Sequence, residues 1–143
     1  MKPQYRKVGS SEIIYDRDCP YMDIQYESGR MFISSAVFRL IGEPTAIRFH
    51  WNPTTCTLVI EPTSTGAPDS VPLIGYTYAR HKSFFIGSLT LMHGIWTAID
   101  WDKSLRYRIV AKYNVPNNIA IFELDGAVAF EIPRKGRPRK TKL

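Results

Sequence analysis

The side chains in this sequence best suited to catalysis or metal binding are His50, His81 and His93, Cys19 and Cys56, and the acidic pair Asp100 and Asp102. Their spacing supports neither chemistry. The histidines are scattered, and neither cysteine has partner cysteines or histidines at zinc-like intervals. Asp100-Trp101-Asp102 places two carboxylates in an expected loop, without the further acidic or basic residues that a metal-dependent nuclease brings together. There is no glycine-rich phosphate loop, nucleophile elbow or metal-binding helix motif. The sequence therefore reads as a non-enzyme with no cofactor and no metal, and its two cysteines as reduced, buried structural thiols.

The cations carry clearer chemistry. The chain has 19 Lys and Arg against 13 Asp and Glu, and six of the cations lie in the closing stretch RKGRPRKTKL, which contains no acid. Residues 1–133 are thus formally neutral, and residues 134–143 form a cationic segment that would seek a polyanion. Within it Arg134, Lys135, Gly136, Arg137, Pro138, Arg139 and Lys140 resemble the AT-hook, a Gly-Arg-Pro core flanked by basic residues that lies in the minor groove of A·T-rich DNA. Each residue type has a physical reason to be there. Gly136 has no Cβ to hold the backbone off the groove floor, Pro138 favours an extended path, and Arg137 suits a narrow groove of enhanced negative potential. Lys135 stands where the motif usually has arginine. The plain alternative is a solubilising terminal run.

A second cationic set lies at Arg106-Tyr107-Arg108-Ile109-Val110-Ala111-Lys112-Tyr113. Read as one strand, it puts Arg106, Arg108 and Lys112 on one face and Tyr107, Ile109, Ala111 and Tyr113 on the other. Three cations on one face could track phosphates, or simply form a solvated face. The 3 Trp, 8 Tyr and 7 Phe sit beside charges at Tyr5-Arg6-Lys7 and Phe49-His50-Trp51. Such interleaving can stack unpaired bases, although core packing is the commoner fate of strand aromatics.

The elements that would position these residues follow from local pattern. Residues 21–26 alternate as a strand, Glu27-Ser28-Gly29-Arg30 offers a turn, and Met31-Phe32-Ile33 a second short strand. Ser34 and Ser35 can start a helix that Gly42 and Pro44 stop. Ile47–Trp51 and Cys56–Glu61, separated by Asn52-Pro53-Thr54-Thr55, form a hairpin signal. Residues 62–75, rich in proline and glycine, read as a connecting segment. Beyond it Phe85-Ile86-Gly87-Ser88 echoes Phe32-Ile33-Ser34-Ser35 at an offset of 53 residues, each followed by a short apolar segment ending near Gly94 or Gly42. Ile119–Leu124 would pair with Ala127–Phe130 across an Asp125-Gly126 turn. The expected fold class is β-rich α+β: one or two strand-helix-hairpin units, at about 21–61 and 76–130, within a single domain 1–133 that carries a disordered basic arm.

The stretch Gly29 to Gly42 resembles the core of AbrB-like swapped-hairpin DNA-binding domains, in which a Gly-Arg turn leads into a strand, a short arginine-bearing helix and a closing hairpin. A tandem pair of such units is similar to the MraZ branch of that superfamily. Ser34 stands where the family usually has proline, Phe38 takes a usual basic position, and Lys82-Ser83 replaces Gly-Arg in the second copy. The resemblance implies that Arg30 and Arg39 contact DNA from a dimeric platform.

The resulting expectation is a double-stranded-DNA-binding protein, a small transcriptional regulator of a prokaryote or mobile element, acting as a homodimer. The alternative is a small interaction protein that inhibits a nucleic-acid-handling complex such as a host defence nuclease. No apolar core follows the basic start MKPQYRKVGSS and no stretch approaches a membrane span, so the expected location is cytoplasmic and nucleoid-associated.

Overall fold

The structure is a computed structural model, and it describes residues 19–74, 76 and 83–132. Among these, β1 (Tyr21–Gln25), β2 (Arg30–Ser34), α1 (Ser35–Leu40), β3 (Ala46–Asn52), β4 (Thr57–Thr63), β5 (Val71–Pro72) and β6 (Ser83–Gly87) come first. They are followed by α2 (Leu89–Ala98), β7 (Leu105–Val110), β8 (Lys112–Asn114), β9 (Ile119–Glu123) and β10 (Val128–Glu131). The strands form two five-stranded sheets, in the orders β10-β7-β1-β2-β6 and β5-β3-β4-β9-β8. Every strand pairing in both is antiparallel.

This corrects the expected α+β, strand-helix-hairpin class: the described chain is mostly β. The order strand, helix, hairpin does occur, but β2 joins the first sheet while β3 and β4 join the second. No compact unit of the expected kind forms, because the strands on either side of α1 find partners in different layers. The same division separates residues expected to lie together. β7 ends at Val110, and Lys112 begins β8 in the other sheet. Ile119–Glu123 and Val128–Glu131 are not a hairpin either; one turn of 3₁₀ helix, Leu124–Gly126, carries the chain from the second sheet to the first. Alternation holds within each run, but the runs do not continue into one sheet.

Local signals held where the backbone itself demands them. After α1, Gly42 adopts a φ of 93°, a left-handed conformation that glycine enters without a Cβ clash. The Glu43 N–H donates back to the Phe38 carbonyl at 2.8 Å. Ser34 occupies the position before α1 but bonds elsewhere. Its Oγ accepts the Tyr21 N–H at 3.0 Å and donates to the Cys19 carbonyl at 3.1 Å, which pins the start of β1 to the end of β2. In α2 the expected stop at Gly94 fails. The helix runs on to Ala98, and a Cβ at Gly94 would lie 3.5 Å from the Trp51 ring, so this glycine is a packing surface.

One core serves both sheets. Met22, Ile24, Met31, Ile33, Tyr107 and Ile109 from the first belong to the same apolar cluster as Ile47, Leu58, Ile60 and Phe122 from the second, with Val37, Phe38, Met92 and Ile95 from the helices. The two halves of the chain also interleave as strands. β1 lies beside β7, β2 beside β6, and β4 beside β9. At the β2–β6 pair Phe32 faces Phe85, flanked by Met31 opposite Ile86 and Ile33 opposite Phe84. These are the segments that echo each other in sequence, related here by a local two-fold axis through the phenylalanine pair. The second layer that a strand-helix-hairpin unit would need from another copy is supplied within the chain.

Unfolding should therefore be a single cooperative transition, with aromatic fluorescence and far-ultraviolet circular dichroism coincident in urea. Phe122→Ala should lower stability by about 3–5 kcal/mol, since the ring is fully buried between layers. Separate transitions for the two halves would contradict the shared core.

Candidate nucleic-acid interface

The first sheet buries one face in the core and presents the other outward, and register fixes what the outward face carries. Three rows run across it: Val110, Tyr21; then Val128, Arg108, Asp23, Phe32, Phe85; then Phe130, Arg106, Gln25, Arg30, Gly87. Among the described residues the face thus holds three arginines, four aromatic rings and one carboxylate. Asp23 and Phe130 are both buried on this face, each at 2% exposure. Arg108 donates to both Asp23 oxygens, Nε to Oδ1 at 2.5 Å and a terminal nitrogen to Oδ2 at 2.7 Å. The Arg106 Nε lies 3.6 Å from Oδ2, too long for a hydrogen bond, and it has no hydrogen-bond partner.

Aromatic rings complete the arginine sites. The Arg108 guanidinium lies 4.3 Å from the Tyr21 ring centroid and 5.1 Å from that of Phe130, and Arg106 lies 5.0 Å from Phe130. Weak guanidinium hydration and a planar cation make this stacking favourable. Burial raises the Tyr21 phenol above its ordinary pKa, with the Arg108 charge opposing the shift. Farther along, Phe32 and Phe85 stack with centroids 4.3 Å apart and planes 6° from parallel. Arg30 reaches across the side-chain-free Gly87 position to within 5.6 Å of the Phe85 centroid.

The sequence-derived sites divide accordingly. Arg30, Arg106 and Arg108 share the outward face, but Arg106 and Arg108 are largely buried, at 19% and 12% exposure, and Asp23 offsets one of their charges. They are not a solvated phosphate track. Lys112 belongs to the second sheet, where it pairs with Glu123 at 2.8 Å. Arg39 is exposed on α1, beyond the far end of β2 from Arg30, so roughly 13 Å of strand separates the two. Arg134, Lys135, Gly136, Arg137, Pro138, Arg139 and Lys140 lie outside the described residues, as do Tyr5-Arg6-Lys7 and His81.

The remaining catalytic candidates stay apart. His50 meets Glu61 at 2.9 Å on the second sheet, while exposed His93 packs edge-on against Tyr26. Asp102 accepts both the N–H and the hydroxyl of Ser104, at 2.8 and 2.7 Å, which makes it a turn-forming residue. Cys19 and Cys56 are half-buried and not the fully buried thiols expected. Burial pushes the Cys56 thiol pKa up, with Asp125 adding to the effect, which disfavours a nucleophilic thiolate. No group of three or more metal-ligating side chains occurs among the described residues, and no helix there is long and apolar enough to cross a membrane.

Sequence reasoning missed Asp23 and the Phe32–Phe85 pair. The first had no signal, since its partners lie 83 and 85 residues away. The second had one, because the faint repeat aligned the two phenylalanines. Fold and site together define a mostly β protein with an arginine-aromatic sheet face. Comparison with protein-family models, curated proteins and solved structures found no match to the chain.

Asp23→Ala removes a buried carboxylate that lies against two largely buried guanidinium groups and should destabilise the fold by about 3–5 kcal/mol. Lys112→Ala, at an exposed pair, should change stability by less than about 1 kcal/mol. Urea titration of both variants checks the contrast. Cys56 should also react more slowly with iodoacetamide at neutral pH than a free cysteine peptide.

Proposed function

We propose that this chain binds DNA, with the cationic segment 134–143 drawing in the phosphates and the Arg30 end of the first sheet facing the nucleic acid. The observation that carries the reading is a coincidence of position. β10 runs toward Glu131 at the end of the sheet where Phe130, Arg106, Gln25 and Arg30 form one row, so the last described residues, directly before the cationic segment in sequence, lie at the Arg30 end of the folded face. The resemblance of Gly29–Gly42 to AbrB-like domains and of residues 134–140 to the AT-hook support the same reading, with a duplex as target and regulation of transcription as its use. Ten extended residues span up to about 35 Å, enough to follow several base pairs.

Formal neutrality of residues 1–133 favours a second reading, in which the folded body grips a protein of a nucleic-acid-handling complex and the basic segment only localises it. The readings separate in a pull-down from nuclease-treated lysate. One stoichiometric protein partner that survives removal of DNA supports the inhibitor, and loss of all partners supports DNA binding.

If all six cations of the segment meet phosphates, log affinity for duplex DNA should fall with log salt at a slope of roughly −5. Deleting residues 134–143 should remove most of that slope and leave the unfolding transition unchanged. An unaltered slope would detach the segment from binding.

A further inference from the structure

The geometry points to the Phe32–Phe85–Arg30 cluster as a stacking site for an unpaired base of single-stranded DNA, an inference that rests on the DNA-binding reading and gives the folded sheet its own ligand. β6 is the edge of the first sheet. One face of the Phe85 ring lies against Phe32, and among the described residues no strand pairs with the other side of β6. The ring is 56% exposed, an unusual condition for a phenylalanine already stacked on a neighbour. A planar base placed against the outer side of Phe85 extends the existing stack by one member, and bases of any sequence present a π face for this purpose.

Charge suits the same occupant. Arg30 is exposed beside the ring, where it meets the phosphate of a stacked nucleotide. Arg106 and Arg108 on the same face are largely buried around Asp23, so the exposed Arg30 is the cation offered beside the aromatic pair. Bases inside a closed duplex are stacked on one another and cannot reach such a ring. The face therefore selects single strands, overhangs and opened duplex, while the cationic segment 134–143 attracts any DNA.

Fluorescence polarisation of the full chain with single-stranded oligothymidylate of about 12 nucleotides and with a blunt duplex tests this. Phe85→Ala should weaken single-strand binding about 5- to 150-fold and leave duplex binding unchanged, and Phe85→Trp should restore it. Circular dichroism verifies that both variants fold. Equal losses on the two ligands, or no loss on the single strand, overturn the stacking site while DNA binding stands. Failure of the unmodified chain to bind either ligand overturns the DNA-binding reading itself, and the stacking site with it.

Discussion

A carboxylate almost sealed from water, with one bidentate arginine and a second arginine just out of hydrogen-bond range, is the constraint around which the first sheet is arranged. Asp23 sits on the central strand β1, and Arg106 and Arg108 reach it from β7. Charges at this depth are tolerated only when paired, so the register between two strands more than 80 residues apart is specified by more than apolar packing. A slip of one residue would turn Asp23 into the core and both arginines away from it. The aromatic lids follow from the same pairing, since Tyr21 and Phe130 flank Arg108 only when β1 and β10 both sit in this register on β7.

That constraint explains the division of labour on the outward face. Arg106 and Arg108 are absorbed into structure, leaving Arg30 as the exposed arginine of the face. Two of the three cations that alternation groups with the β7 strand thus hold the sheet together, and the third, Lys112, lies on another sheet. Counting charge along a strand overstates what is available to a ligand, because an acid from a distant strand can offset part of it and burial can withdraw the rest from solvent.

Much of the local structure was legible. The turn before Arg30, the short helix after Ser34 and the hairpin between residues 46 and 63 were readable because glycine at positive φ, helix stops and strand alternation act over a few residues. The layers were not readable. Nothing near Ala111 signals that the chain changes sheet between Val110 and Lys112, and the Asp125-Gly126 pair looks the same at a hairpin as at a corner between sheets. Gly94 misled for a related reason: its role is set by Trp51, more than forty residues away, against which it packs. At the candidate site Arg30 was found through its turn, whereas Phe85 required the sheet edge to become visible as a surface ring.

The two-fold relation at Phe32 and Phe85 bears on how the chain keeps its own company. Exchanging the two segments between chains would regenerate the same neighbours, with residue 31 opposite 86 and 33 opposite 84. The ladder itself therefore does not distinguish self-closure from strand exchange with a second molecule. What distinguishes them is effective concentration: two segments on one chain meet at up to the order of millimolar, well above the micromolar range of separate chains. Closure on itself is accordingly a statistical preference of a tethered pair, and raising the concentration of separate chains is the circumstance that erodes it.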